Sequence, residues 1–513
     1  MINGESLIEI QRDANPFART DVVRDSHGIA HYSSLPPSLV HMLSEQVEAH
    51  PEVEAVVEVG GDRLTYRDLW SRAVRVAGGL RNGGVVRGDR VALRQPPGIE
   101  WTLAFWGTLM SGAVPVAVNT RLTKAEIDFL LRDCGAKVDL APPTRLPDAD
   151  PYVERELSLN DLAAIFYTSG TTGNPKGVPT SHEAFLTNAE NARRCFGFPQ
   201  DAGRTLRTLI SAPLFHVTAC NSQFVTAAYL GGTSVILPKL DFVTLIDTLA
   251  TEKISYLVTV PAVYALMLRN PHFDQADTSM VKWVGYGGAP ITPSLVHELK
   301  QAFPTASVFN GYGMTETASL ITALPDAFAS EHADSVGYAV PSIDLALLPI
   351  SNDPNVGELL VRGANVTKEY WNQPDGTTAA FVDGWLKTGD VVRVDDAGRV
   401  HIVDRIKDII NRGGEKVSSI EVETILAGAP GVAEAAVIAV PDSVMGEKVG
   451  AVLVADDTDI DLSAVLDHCR EHLADFKIPQ HVAVHSDPLP RNPGGKLLKS
   501  RLRELVQWGP AFR

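Results

Sequence analysis

The chain has 513 residues, 45% hydrophobic and 21% charged, with a mean hydropathy of +0.02, so at least two domains are expected and extended disorder or a fibrous design is excluded. Its formal net charge of −17, from 62 acidic and 45 basic residues, sets a long-range field that repels nucleic acid and anionic lipid, although a local basic pocket can still bind a polyanion. The four cysteines, Cys134, Cys195, Cys220 and Cys469, are widely spaced without a CxxC pair, which argues against a zinc site or disulfide framework.

The N-terminal segment MINGESLIEIQRDANPF lacks the basic start and apolar run of a signal peptide, so a cytoplasmic location is expected. From Leu39 to Val138 helical and strand-like segments alternate, in the pattern of a doubly wound sheet. Within this stretch Trp101 to Asn119 carries no charge and approaches membrane-spanning length. Ser111, Gly112 and Pro115 interrupt it and its end, VPVAVN, is strand-like, so a buried helix, turn and strand are expected and no membrane span. The segment from Ala141 to Ser158, rich in proline and charge, reads as a connector.

A strand, DLAAIFYT, then runs into a glycine-rich loop, and further α/β elements follow through TSVILP, DFVTLIDTLATEK, ISYLVTV, SLVHELKQAF and ASVFNGYG. From Val356 the chain becomes strand-rich, with turn signals at Asp383-Gly384 and Asp396-Ala397-Gly398. A boundary is expected near Asp404, beyond which SSIEVETILAG, VAEAAVIAV, KVGAVLVA and DLSAVLDHCREHL suffice for a small α+β domain.

The loop Thr168 to Gly177, TSGTTGNPKG, packs three glycines, four hydroxyls and one lysine into ten residues. Glycines let backbone N–H groups approach phosphate oxygens, hydroxyls add donors and Lys176 adds a point charge. A plain flexible loop needs neither the lysine nor the buried strand before it. The GxxxxGK[ST] spacing of P-loop NTPases is missing.

With this loop stand PLFH (Pro213 to His216), GYGGAP (Gly285 to Pro290), NGYGMTET (Asn310 to Thr317), GWLKTGD (Gly384 to Asp390), DRIKDIINRGGEKV (Asp404 to Val417) and NPGGK (Asn492 to Lys496), in that order. Over nearly its whole length the chain resembles the adenylate-forming superfamily of acyl-CoA synthetases, luciferases and peptide-synthetase adenylation domains, and looks most like an acyl-CoA synthetase. The resemblance implies a large N-terminal domain (1–403) of doubly wound α/β sheets with a β-rich subdomain, a hinge (404–407) and a small mobile α+β domain (408–513). It also implies ATP, Mg²⁺ and coenzyme A as cofactors.

The residue roles follow from the same resemblance. Lys496 would hold carboxylate and α-phosphate together, countering the charge that accumulates as two anions meet. Thr168, Ser169, Gly170, Thr171, Thr172, Gly173 and Lys176 would cradle phosphates; Thr315 would donate to phosphate and Glu316 would coordinate Mg²⁺. Gly287, Gly288 and Ala289, with Gly311, Tyr312 and Gly313, would border the nucleotide, and Asp390 would accept from the ribose hydroxyls. Arg405 would contact the nucleotide, Lys407 would be the hinge, and Gly413 and Gly414 would line the thiol channel. His216 resembles the gate between acyl site and thiol tunnel, and Val217, Cys220, Gly285, Gly288, Met314 and Ser319 would join it around the acyl group.

Blander readings exist for several of these: a turn-forming aspartate for Asp390, a helix cap for Thr315 and Glu316, a Gly-Gly turn for Gly413 and Gly414, a hydrogen-bonded core histidine for His216. The expected acyl-pocket segments contain no Arg or Lys, and their one carboxylate is Glu316. The expected substrate is therefore an apolar monocarboxylic acid, bulky or cyclic ones included, with Asn221 or Ser319 available for one polar group. CoA is the favoured acceptor, with a carrier-protein thiol as alternative. A split-reaction enzyme that only forms the thioester from a supplied acyl-adenylate, and a non-catalytic ligand-binding homologue, are the competing functions. A homo-oligomer is compatible with the sequence.

Overall fold

The computed structural model describes residues 7–168, 175–350, 353–455, 460–491, 497–509 and 511. Among the described residues, two α/β sheets carry most of the chain. In the nine-stranded sheet the strands Tyr256–Thr259, Trp283–Gly287 and Ser307–Met314 run parallel at the centre, continued through Arg207–Ile210 and Thr233–Ile236. Antiparallel strands close its ends. The five-stranded sheet orders Lys176–Ser181, Leu162–Thr168, Val114–Ala117, Arg90–Leu93 and Ala136–Leu140.

Helices cover both faces of both sheets. Leu39–Ala49, Tyr66–Asn82, Ile99–Met110 and His182–Cys195 feed one apolar cluster that includes Val91 and Leu93 from one sheet and Val56 and Ile236 from the other. On the far side of the larger sheet, Phe242–Thr251, Pro261–Leu268 and Pro293–Ala302 pack over Val235, Leu257, Val284 and Val308. Helix Lys124–Asp133 covers the outer face of the smaller sheet. This is the doubly wound arrangement expected from the alternating pattern.

The uncharged stretch after Trp101 forms the buried helix Ile99–Met110, a turn with Gly112 at φ +80, and the strand Val114–Ala117. Among the described residues no helix is long and apolar enough to cross a membrane. The connector has no helix or strand between 141 and 158, yet it is tightly seated. Ala149 and Tyr152 N–H groups donate to the carbonyls of Arg75 and Val74, and a Cβ on Gly78 would meet Asp150 O at 1.8 Å. The Gly78-Gly79 pair thus lets the connector lie against the helix backbone.

One strand departs from the expected order. Glu54–Glu58 precedes the five-stranded sheet in sequence but pairs parallel with Thr233–Ile236 in the nine-stranded one. Its two faces are buried in two different clusters, through Val56 and Val57, and only the larger sheet offers both.

The strand-rich part forms a six-stranded antiparallel sheet of Ile8–Glu9, Ile343–Pro349, Val356–Gly363, Trp385–Val394, Phe381–Val382 and Val400–Arg405. Asp383 and Gly384, at φ 47 and 79, make the tight hairpin between two of these strands. Beyond Asp408 the chain builds a separate apolar cluster around Ile410, Val422, Val437, Leu453 and Val465, over a five-stranded sheet of its own.

His182, fully buried at the start of its helix, accepts the Leu39 N–H at Nδ1 (3.2 Å). Burial lowers its pKa to about 4, below the about 6.5 of an unfolded chain. The unfolded state therefore binds a proton that the native state refuses. Stability present above about pH 6.5 is lost progressively toward pH 4, by about 3 kcal/mol for this group. Replacing His182 by Asn is expected to flatten the fall of Tm across that window in calorimetry. An unchanged slope would mean that the native state accepts the proton.

Candidate active site

The parallel strands Tyr256–Thr259, Trp283–Gly287 and Ser307–Met314 end on the same side, where ligands of open α/β sheets bind. A cavity of about 60 Å³ opens there and is lined by Val217, Thr218, Ser222, Val258 and Ser319 together with Gly285, Gly287, Gly288, Gly311 and Gly313. Among the described residues no charged side chain contributes to its wall. The two glycine-rich strands lie in register, Gly285 opposite Phe309 and Gly287 opposite Gly311. A Cβ on Gly287 would sit 2.2 Å from Gly311 O, so this glycine is required by the sheet itself.

Alternation along Ser307–Met314 puts two kinds of surface side by side. Gly311 and Gly313 line the cavity, while the Tyr312 hydroxyl donates to Asp390 Oδ2 at 2.6 Å. Arg405 Nε lies 2.6 Å from Asp390 Oδ1. Asp390 is buried within the strand Trp385–Val394, with Arg405 as its cross-strand partner, so it is not a turn-former. Burial, with Asp390 adjacent, pushes the Tyr312 phenol well above its ordinary value, which keeps it a donor. Sequence reasoning did not find Glu358, a buried carboxylate beside this cluster that accepts the Gly389 N–H at 3.2 Å.

At the end of the same strand the chain turns through a short 3-10 segment, Thr315–Thr317, and then through Ala318 at φ 52 and Ser319 at φ 118. Positive φ in two successive non-glycine residues is strained and persists only where the surroundings impose it. Asn221 donates to Ala318 O (2.9 Å), Asn365 donates to Thr317 O (2.7 Å), and the Ser222 and Ser319 hydroxyls meet at 2.7 Å. Asn221 thus gives its Nδ2 to the backbone, while its Oδ1 is buried without a partner among the described residues. Met314, not Thr315, occupies the cap position of this turn.

Glu316, which the turn presents, is 8% exposed and accepts the Tyr370 hydroxyl at Oε1 (2.8 Å). The Tyr370 ring in turn carries Lys176 Nζ 4.9 Å from its centroid. Lys176 faces Thr168 across the hairpin of Leu162–Thr168 and Lys176–Ser181. Ser169, Gly170, Thr171, Thr172 and Gly173 lie outside the described residues, as does Lys496. Tyr370 carried no signal in the sequence, because it is linked to Lys176 and Glu316 only through the fold.

Among the described residues no group of three or more His, Cys, Asp or Glu could cage a metal ion. A single buried carboxylate suits Mg²⁺ that arrives on a nucleotide, since this ion keeps waters and phosphate oxygens as its other ligands. Glu316 fits that task.

Of the expected acyl-site residues, Val217, Gly285, Gly288 and Ser319 line the cavity. Met314 lies at the strand end before the turn. Cys220 belongs to the fully buried cluster with Trp101, Phe105 and Phe224, so its place is in the core and not on the cavity wall. It lies in a π-helical stretch, Cys220–Val225, of the kind frequent at functional sites. His216 precedes that helix, with its Nε2 buried and without a partner among the described residues, and burial lowers its pKa to about 4. It is not a hydrogen-bond-satisfied core histidine.

Ala289 is exposed just past the strand, next to Gly288 at φ +75. Lys407 is exposed after Arg405, and the buried Asp404 accepts from the Ser419 hydroxyl at 2.8 Å. Gly413 and Gly414, at φ +61 and +99, form the two-residue hairpin turn between Ile410–Arg412 and Glu415–Val417. The turn alone accounts for both glycines.

The family model for AMP-binding enzymes matches residues 43–150 and 140–371, and that for the AMP-binding enzyme C-terminal domain matches 421–496. The chain belongs to the AMP-binding enzyme family. It is 34% identical to the long-chain-fatty-acid–CoA ligase FadD13 of Mycobacterium tuberculosis over 90% of this chain and 97% of that one. It is 35% identical to a feruloyl-CoA synthase of Amycolatopsis over 87% and 95%. Among solved structures, the o-succinylbenzoate CoA synthetase of Bacillus subtilis bound to its acyl-adenylate superimposes with a TM-score of 0.83 at 27% identity, covering 93% of this chain and all of that one. ATP-bound MatB of Rhodopseudomonas palustris gives 0.80 at 30%, covering 91% and 98%. The chain is accordingly an AMP-forming acyl-CoA synthetase, and these relatives differ widely in the acid that their names carry.

Proposed function

We propose that this ligase activates an apolar monocarboxylic acid, bulky or cyclic ones included, as an acyl-adenylate with release of pyrophosphate, and then passes the acyl group to CoA. The observation that carries the reading is the shared strand Ser307–Met314. Its glycines border an uncharged cavity, and Tyr312 between them reaches the buried Asp390. An acid in the cavity and a ribose on Asp390 would then lie on neighbouring faces of one strand, close enough to react when α-phosphate bridges them. An amino acid or dicarboxylate would bring a second charge into a wall without a partner for it.

In this reading Asp390 accepts from the ribose, and Arg405 steadies Asp390 and the nucleotide. Lys176 and the Thr168–Gly177 loop hold the β- and γ-phosphates. Glu316 would hold Mg²⁺, which would neutralise phosphate charge, and Thr315 would donate to phosphate. Lys496 bridges carboxylate and α-phosphate, and His216 borders the path to the thiol. The hinge spans 404–407, with Lys407 in it and 1–403 and 408–513 as the two domains. Separate apolar clusters on either side favour that division. Rotation would withdraw Lys496 after adenylation and admit the thiol.

Pyrophosphate release from ATP and Mg²⁺ over a panel of fatty, aryl and polycyclic acids, each with and without CoA, tests the reading. Acid-dependent release with acyl-CoA as product is expected. Thioester formation from a supplied acyl-adenylate, without release from any acid, would replace it by a split reaction.

Tyr370→Phe should raise the Mg²⁺ concentration for half-maximal adenylation about tenfold or more, since a hydrogen bond to a charged group is worth about 1.5–3 kcal/mol. Titration of Mg²⁺ at saturating ATP measures it. The same variant should show less Mg·ATP-dependent gain in Tm. An unaltered Mg²⁺ requirement would separate Tyr370 from the metal-binding carboxylate.

A further inference from the structure

Aromatic rings form part of the cavity wall. Phe196, just after helix His182–Cys195, and Phe309, in the strand beneath the cavity, stack with centroids 3.8 Å apart and planes 16° apart. Both line the cavity and are nearly fully buried. Behind them Phe198 stands edge-on to Tyr256 and Trp283, at 4.9 and 5.1 Å.

The glycines beside the stack do not extend the space. A Cβ on Gly285 would lie 2.6 Å from Phe309 Cε2, and one on Gly311 would lie 2.9 Å from Leu320 Cδ2 and 3.6 Å from Phe196 Cζ. The volume freed by the missing side chains is filled by the protein's own rings and Leu320. On one side the cavity is flanked by the mutually bonded Ser222 and Ser319, and Ser222 O also accepts the Tyr256 hydroxyl at 3.1 Å. Polar anchoring of this kind ties the wall to the ring cluster.

Resting on the ligase reading above, we propose that Phe309, backed by Phe196, is the floor of the acyl pocket and selects an aryl-bearing monocarboxylic acid over long straight-chain acids. A flat ring that enters this uncharged slot gains offset or edge contact with Phe309. A long chain must pass the plane of the stack, which requires parting two close-packed rings and the cluster behind them. The floor thus decides between the long-chain and aryl acids named among the relatives.

The test is calorimetric binding of two intermediate mimics, an aryl and a hexadecanoyl sulfamoyl-adenosine, to the whole chain and to Phe309→Ala and Phe309→Leu. Pyrophosphate release with the matching free acids is measured beside it. The wild type is expected to prefer the aryl mimic by about 100-fold or more. Phe309→Ala should cut that preference about tenfold or more, with Phe309→Leu between the two. Equal or tighter binding of the hexadecanoyl mimic by the wild type overturns the proposal, and this measurement needs no variant to fold. An unchanged preference in a folded Phe309→Ala also overturns it. Aryl preference without pyrophosphate release from either acid would defeat the ligase reading and keep the floor. Release driven best by hexadecanoate would keep the ligase and defeat the floor.

Discussion

Asp390→Asn is expected to lower kcat/KM for ATP by about 10²-fold or more, with most of the loss in ATP binding. Each hydrogen bond to a charged group contributes about 1.5–3 kcal/mol, and the proposed ribose contacts use this carboxylate. The substitution also disturbs the free enzyme, where Asp390 accepts from Tyr312 and pairs with Arg405, each at 2.6 Å. Breaking one side of a fully buried pair costs about 3–5 kcal/mol. Here the cost is smaller, because the Arg405 side chain is 34% exposed and stays hydrated. A modest fall in Tm should therefore accompany a large fall in ATP affinity. Thioester formation from a supplied acyl-adenylate should suffer too, since the adenylate carries the same ribose. An ATP KM within about twofold of wild type would place the ribose elsewhere.

Lys496→Ala should give the opposite partition. Pyrophosphate release should drop by about 10²–10³-fold, the cost of removing one group that stabilises developing charge. Conversion of a supplied acyl-adenylate and CoA to the thioester should stay within about threefold of wild type, because the proposed second step needs this lysine withdrawn. Single-turnover assays of the two half-reactions read the difference. Equal loss in both would show that Lys496 supports the fold of the small domain, or serves both steps, and would remove the reason for a rotating hinge.

Much of this was legible in the chain because it is local. The periodicity around Leu39 and Tyr66, the uncharged block after Trp101, the Asp383-Gly384 and Gly413-Gly414 turns, and the absence of Arg and Lys in the segments now around the cavity all depend on residues close in sequence. Composition and motif order sufficed for the family and for the doubly wound fold, which the AMP-binding match and the two covered sheets bear out. The family resemblance also placed Cys220 at the acyl site. Packing put it in the core with Trp101 and Phe224.

What only the tertiary structure decided is the set of contacts between distant segments. Strand Glu54–Glu58 joins a sheet whose neighbouring strand follows far along the chain, because both its faces must be buried. Tyr370 lies between Lys176 and Glu316, Asn221 and Asn365 hold the strained turn at Ala318, and Phe196 meets Phe309 in the cavity wall. Phe and Tyr are ordinary core residues by composition, and nothing near Phe196 in sequence points to a pocket. Spacing encodes which face of an element a residue occupies, whereas the partner across the gap is set by how whole layers pack, and in this protein those partners determine the shape of the site.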